Sequence, residues 1–359
     1  MLPHSSILPV AKDFESGLTD GLASLGQHEI TYTVVKEFIA EGGLPKVESA
    51  MNKLVSFDDV DIITGIVSNR VVEGLKDKTA VAKKPFLFSN VGGFIPNLNN
   101  MNEYMMLNSF HLWQHAWALG NWGVNNIGKR GLYVSAVYDA GYSFSHMFYE
   151  GMKAAGAEKE WAFAVAPLAG ATGFSDMDIL INIIQQHKPD FIFATFCGEE
   201  TTLFLDAFVK ADLHKTVKLM GLPFLLAPFK PVSEDLSIIT TVIRSNKDTV
   251  IETVKSFYHL GYTAGTAIAD AAIAANGNEW LAEFSKNPQL VSLQNLSSEN
   301  SKVYEQNPVD IMEVQLLAGN ENIQQTKIGS NTTLSLKDEV LKSMFADIVA
   351  SWQNPYLCI

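Results

Sequence analysis

Short polar groups follow apolar runs at five places in this 359-residue chain: His4-Ser5-Ser6, Ser68-Asn69-Arg70, Ser89-Asn90, Tyr142-Ser143 and Cys197-Gly198-Glu199. Each leads towards a stretch with helical periodicity. Taken singly, such a turn is a helix cap whose hydroxyl or amide satisfies the first free N–H groups. Gathered at several strand ends, the same groups can hold a small anionic solute against helix N-termini. Open α/β sheets bind ligands there, outside the carboxyl ends of their strands. Together the turns point to a ligand cleft.

Motifs for other chemistry fail on particular residues. Gly123-Val124-Asn125-Asn126-Ile127-Gly128-Lys129-Arg130 nearly spells a phosphate-cradling loop, but Arg130 replaces the metal-binding hydroxyl and the strand follows the glycines instead of preceding them. It reads as a helix C-cap and turn. Gly170-Ala171-Thr172-Gly173 is the nearest approach to a dinucleotide fingerprint and follows no GxGxxG pattern. His111 and His115 have the spacing of two metal ligands on a helix, without the intervening Glu or a third ligand. With Trp113 and Trp117 in the same segment they read as packing or interface histidines. Gly141-Tyr142-Ser143-Phe144-Ser145 departs from a nucleophile elbow at its last residue. Cys197 sits where a helix dipole could lower a thiol pKa, but no base accompanies it. No cofactor, metal or catalytic residue is expected.

Composition narrows the partners. With 39 acidic against 26 basic residues, a net charge of -13 and no Lys/Arg stripe, nucleic acid is not an expected partner. Apolar runs such as Leu222–Ala227 are far too short to span a bilayer, so the chain is not expected to insert in a membrane. Hydrophobic residues make up 47% and charged residues 18%, which excludes disorder. The start Met1-Leu2-Pro3-His4 has no basic and apolar leader pattern.

The elements that must position these groups alternate in βαβ fashion, giving an α/β class with two doubly wound parallel sheets. A helix is expected over Val10–Leu25, then strands at Ile30–Val35, Asp61–Gly65 and Pro85–Phe88. A second series follows Gly131: strands at Leu132–Tyr138, Trp161–Val165, Phe191–Thr195 and Val217–Met220, with helices at Ser145–Ala155, Asp178–His187 and Leu203–Ala211. Asn97–Gln114, Ile238–Arg244 and Val309–Val314 read as crossings between two halves. Thr249–Ala275 and Leu336–Trp352 read as further helices.

Several passages occur in a familiar order: Lys53-Leu54-Val55 through Asp61-Ile62-Ile63-Thr64-Gly65-Ile66-Val67-Ser68, then Phe86-Leu87-Phe88-Ser89-Asn90. Gly131-Leu132-Tyr133-Val134 through Asp139-Ala140-Gly141-Tyr142, Pro189-Asp190-Phe191-Ile192 and Gly261-Tyr262-Thr263-Ala264 continue it. Their sequence and spacing resemble the type I periplasmic binding proteins, in particular the branched-chain amino acid (Leu/Ile/Val) receptor group of ABC transporters. The resemblance implies two Rossmann-like lobes joined by three hinge crossings, one lobe from 1–108 and 245–310, the other from 109–244 and 311–359. It implies that the clamp closes on a solute by domain rotation. Pro3-His4-Ser5-Ser6 resembles the turn after the family's first strand, most of which would lie upstream of Met1.

By the same resemblance, Ser68, Asn69, Ser89, Asn90 and Gly92 take the role of holding a ligand carboxylate. Tyr142, Phe196, Cys197 and Gly198 match the second lobe's side, and Phe94, Phe196, Phe224 and Trp113 could supply an aromatic wall. Gly221-Leu222-Pro223-Phe224 lacks the carboxylate with which amino acid receptors pair the ligand's ammonium, and an unpaired buried ammonium is costly. Glu199 and Glu200 are the candidate substitutes, while Arg70 favours an anionic or amide-bearing ligand. The expected function is an extracytoplasmic, periplasmic solute-binding protein that delivers a small-molecule ligand to an ABC permease of the inner membrane. An amide- or metabolite-sensing receptor domain with the same clamp, and an α/β enzyme acting through Cys197 or Ser143, are the alternatives.

Overall fold

Parallel strands with helical crossovers account for most of the computed structural model, which describes residues 1–3, 8–24, 30–170, 173–226, 235–242, 256–275, 280–287, 290–292, 309–318, 323–331, 336 and 338–346. The chain divides into two units, Met1–Phe110 with Lys255–Tyr304 and Leu336–Tyr356, and His111–Val254 with Glu305–Ser335 and Leu357–Ile359.

The first unit contains α1 (Leu8–Ala23), α2 (Leu44–Ser56), β1 (Ile63–Ile66), α3 (Asn69–Glu73), α4 (Lys76–Ala82), β2 (Phe86–Asn90) and β3 (Met105–Ser109). The later segments add α9 (Ser256–Ala275), α10 (Trp280–Lys286), β9 (Val291–Ser292) and α11 (Asp338–Ala346). Its sheet runs β1-β2-β3-β9, parallel except for the last pair. Every residue of β1 and β2 is buried, as both faces of a parallel sheet require. Leu2 pairs with Gly65 beside β1. On its far side Met1–Pro3 exchange backbone hydrogen bonds with Val35, Glu37 and Ile39.

α1 and α9 cross at glycines. A Cβ on Gly17 would collide with the Tyr258 carbonyl oxygen, and one on Gly261 would collide with that of Phe14. The backbones touch directly, so no side chain fits.

The second unit contains α5 (Leu112–Asn126), β4 (Gly131–Ala136), α6 (Phe144–Ala154), β5 (Trp161–Ala166), α7 (Met177–His187), β6 (Phe191–Thr195), α8 (Glu199–Lys210), β7 (Lys218–Gly221), β8 (Leu236–Thr241), β10 (Val309–Leu316) and β11 (Ile323–Asn331). The strand order is β11-β10-β8-β7-β6-β4-β5, with β10 antiparallel to both neighbours. β4 and β6 are buried along their whole length. Here α5 and α6 repeat the glycine contact, a Cβ on Gly151 running into the Trp117 carbonyl oxygen. Stacked rings of Phe148 and Phe193, 4.9 Å apart, fill the adjoining core.

Four expectations change. Ile30–Val35 is extended but carries no ladder of its own, because most of it runs past the end of its partner at Met1. Asn97–Gln114 is not a mere connection, since β3 within it pairs with β2. Ile238–Arg244 and Val309–Val314 hold sheet strands of the second unit, β8 and β10, paired with each other. The tail helix α11 falls in the first unit, not in the lobe assigned to 311–359; its periodicity specifies a helix but not the surface that receives it. The part of the Thr249–Ala275 helix before Ser256, and residues 347–352, lie outside the described residues.

Candidate ligand-binding site

The carboxyl ends of β1, β2 and β3 carry a buried amide and hydroxyl network. Asn90 Nδ2 donates to the Val67 carbonyl oxygen at 3.1 Å and to Asn69 Oδ1 at 2.7 Å. Asn90 Oδ1 accepts from the Gly92 N–H and the Ser109 hydroxyl, both at 3.0 Å. A side-chain amide has two donors and one oxygen with two lone pairs, so Asn90 is fully used in holding the loops after β1 and β2. Asn69 Nδ2 donates to the Phe94 carbonyl oxygen at 2.6 Å, and Asn108 Nδ2 donates to Ser89 Oγ at 2.9 Å. Ser68 is the N-cap of α3, its Oγ accepting from the Arg70 N–H. Gly92 has φ +80°, a left-handed turn natural to glycine. Of the predicted first-lobe groups, Ser68, Asn69, Ser89, Asn90 and Gly92 are thus brought together, with side-chain hydrogen bonds directed largely into the loop scaffold.

Arg70 differs. It is half-buried, its guanidinium carbon lies 5.0 Å from the Phe94 ring centre, and its Nε and Nη1 are buried without a hydrogen-bond partner among the described residues. Burial lowers its pKa and the Glu73 charge acts the other way. Burial conversely raises that of Glu73, with Arg70 opposing the rise. No ion pair within 4 Å joins Arg70 to a carboxylate among the described residues. A desolvated guanidinium with free donors above an aromatic face is equipped for a planar carboxylate.

In the second unit the ends of β4 and β6 carry two carboxyls. Asp139, in the turn after β4, and Glu200, in the first turn of α8, are 8% and 9% exposed. Glu200 Oε1 accepts from the Ser175 N–H at 2.9 Å and its hydroxyl at 3.1 Å, while Oε2 has no partner among the described residues. Burial pushes the Asp139 carboxyl up to about 7, the Glu200 charge adds to the rise, and the Cys197 N–H opposes it. Sequence reasoning does not single out Asp139 as a site residue. Its signal is an acid at the end of an apolar run, the same kind of position that marks Cys197 and Tyr142.

The remaining expectations separate. Tyr142 is buried with its ring 5.6 Å from that of Phe144. Gly198 begins α8 with open space where a Cβ would stand, and Glu199 beside it is exposed, so Glu200 is the inward carboxylate. Trp113 is fully buried on α5, and Phe196 stacks on Phe204 at 4.4 Å within the core. The Phe196 ring is thus packed into the core of the second unit. Phe224 is buried in the Pro223–Leu226 turn. Cys197 is disulfide-bonded and presents no thiol, which removes its nucleophilic alternative. Ser143 begins α6 with no side-chain hydrogen bond to a base among the described residues. His115 Nδ1 meets Thr241 Oγ1 at 2.8 Å, and burial pushes His111 down to about 4 and His115 to about 3. His4, Ser5 and Ser6 lie outside the described residues.

The sequence profile of the periplasmic binding protein family matches residues 44–242, more than half of the chain. The chain belongs to that family. No curated protein sequence matches it. Among solved structures, this binding protein is similar to an ABC transporter substrate-binding protein from Sphaerobacter thermophilus, at 16% identity over 93% of this chain and 97% of that one, with a TM-score of 0.69. An R. palustris ABC transporter solute-binding protein in complex with benzoate is 17% identical over 94% and 96%, at 0.64. A leucine binding protein from Thermotoga maritima is 13% identical over 92% and 97%, at 0.59. At such identities the likeness establishes the two-lobed α/β fold. Among the described residues no helix is long and apolar enough to cross a membrane.

Proposed function

We propose that this binding protein captures a small carboxylate-bearing solute for uptake by an ABC permease, without chemical turnover. The carrying observation is Arg70, whose guanidinium is desolvated over Phe94 with two nitrogens unpartnered among the described residues. A ligand carboxylate would accept from those donors and offset the desolvation, a charge-assisted contact worth more than a neutral one. The amide network holds the Gly92 turn in place, its N–H already given to Asn90 Oδ1. Asp139 and Glu200 give the second unit's strand ends an acidic character suited to a donor group such as an ammonium or hydroxyl.

The benzoate complex of a neighbour of the same fold supports a carboxylate as the anchoring group. The leucine binding protein supports a solute that carries an ammonium as well. A disulfide at Cys197 suits an oxidising compartment such as the periplasm. A thermal-shift screen against branched-chain amino acids, their keto acids, aromatic carboxylates and the matching amides tests the reading. At 100 times its Kd a ligand stabilises the fold by about 2.7 kcal/mol. Carboxylates should shift the melt and their amides should not; amides shifting it equally would overturn the assignment of Arg70.

A further inference from the structure

Glu73 stands three residues after Arg70 on α3, a spacing that makes the two side chains neighbours on one helix surface. Its Oε1 is buried with no hydrogen-bond partner among the described residues, as are Nε and Nη1 of Arg70. An ion pair would satisfy both groups, yet none within 4 Å joins Arg70 to a carboxylate among the described residues. Glu73 lines a cavity of about 10 Å³, room for about one water molecule, so bulk solvent does not hydrate it on that side. The remaining walls carry no charge: Val72 of α3, Phe88 of β2, and Pro96, Asn97, Asn100 and Met101 of the segment after it. Lys76, at the start of α4, gives its ammonium to the Asn99 carbonyl oxygen at 2.7 Å, and Asp77 beside it is exposed. Among the described residues Arg70 is therefore the charge that acts on Glu73: burial drives the carboxyl up and the guanidinium holds it down. In return Glu73 favours the Arg70 cation, against that residue's own burial.

We infer that Glu73 is the counter-ion of Arg70 in the empty site and is displaced from that role by a solute carboxylate, taking up one proton from solvent as the solute binds. The inference rests on Arg70 as the anchor of a carboxylate. In the empty site one negative charge faces one positive charge. With a solute anion on Arg70 and Glu73 still ionised, two carboxylates share one cation in a poorly hydrated place, the arrangement in which one of them protonates. A proton on Glu73 Oε1 restores one negative against one positive charge, and it gives that oxygen a hydrogen to donate. Glu73 thereby matches the site to a monoanionic carboxylate. The sign of the pH dependence follows from linkage: a proton bound in the complex strengthens binding as pH falls, and the anion equally strengthens the hold of Glu73 on its proton.

The test titrates benzoate calorimetrically into the parent chain, Glu73→Gln and Arg70→Met between about pH 5.5 and 7.5, in two buffers of different ionisation enthalpy. In the parent, affinity should rise at least about threefold towards the lower pH, and the buffer dependence of the heat should show proton uptake. Glu73→Gln should bind at least about threefold more tightly than the parent at the upper pH, with neither proton uptake nor a pH trend. Arg70→Met should bind far more weakly. Weak binding by Arg70→Met together with the parent's proton uptake persisting in Glu73→Gln would overturn the role of Glu73 alone. Equal binding by Arg70→Met and the parent would overturn the anchor itself, and this inference with it. A parent that does not bind benzoate at about 10 mM would also overturn the inference, leaving Arg70 to the thermal-shift screen. Carboxyl carbon NMR of the ligand-free chains gives a second reading: Glu73 should titrate at a higher pH in Arg70→Met than in the parent. An unchanged titration would overturn the charge coupling, whatever benzoate does.

Discussion

Replacing the Asp139 carboxylate with an amide, Asp139→Asn, should make the second unit more stable at neutral pH, and the gain should grow with pH. Burial holds the folded carboxyl up at about 7, against an ordinary value of 3.8. The folded state therefore binds more protons than the unfolded state between those values, and stability falls as pH rises through that window. About three units at 1.36 kcal/mol each give a total near 4 kcal/mol, of which roughly 2 to 3 kcal/mol falls between pH 5 and 8. The amide keeps an oxygen for the Cys197 N–H but has no charge to desolvate or to repel Glu200. Urea unfolding of both forms across pH 4 to 8 reads the effect as the difference between two curves, in which other titrating groups cancel. The difference should open with rising pH. In a Glu200→Gln background it should reach its plateau at a lower pH and a smaller size, because Asp139 then ionises more readily in the fold. A flat difference, or an Asp139→Asn chain less stable at pH 8 than the parent, would refute the assignment of a costly buried charge.

At the N-terminus the sign is reversed: with Met1 as the terminus, burial depresses the ammonium from 8.0 to about 6. Stability should then rise by about 2 to 3 kcal/mol as pH climbs through that interval, checked by unfolding titrations, and an N-terminal leader should abolish the step. Gly17→Ala and Gly261→Ala should each cost about 1–3 kcal/mol or more by forcing α1 and α9 apart, read as a lower urea midpoint; Gly151→Ala should act likewise on α5 and α6. Asn90→Ala should cost about 2–4 kcal/mol on the same measurement, because it strands the Gly92 N–H, the Ser109 hydroxyl, the Val67 carbonyl and Asn69 Oδ1 together.

The α/β class and most strands are legible in the sequence because apolar runs such as Phe191–Thr195 are buried on both faces and admit few other readings. Ile30–Val35 is legible as β-forming sequence, yet a ladder needs a neighbour, and propensity says nothing about one. β3 is hidden because Met105–Ser109 mixes apolar residues with Asn108 and Ser109, whose polar groups are consumed inside the network. β11 is hidden because its polar Gln and Thr residues suit a sheet edge rather than a core. At the site, residue types locate the strand-end turns. They do not distinguish Asn90, which is saturated by its own loops, from Arg70, which is not. That distinction depends on distances fixed by folding. The same limit applies to Glu199 and Glu200, where one position along a helix decides between solvent and interior.

The central claim is that Arg70 anchors a ligand carboxylate. Isothermal titration of the parent and of Arg70→Met, using the carboxylate that gives the largest thermal shift, addresses it directly. The parent should bind one equivalent, and Arg70→Met should bind at least about 100-fold more weakly, the loss of a charge-assisted pair of hydrogen bonds, while unfolding no more readily. Undiminished affinity in Arg70→Met would contradict the claim and place the anchoring chemistry elsewhere.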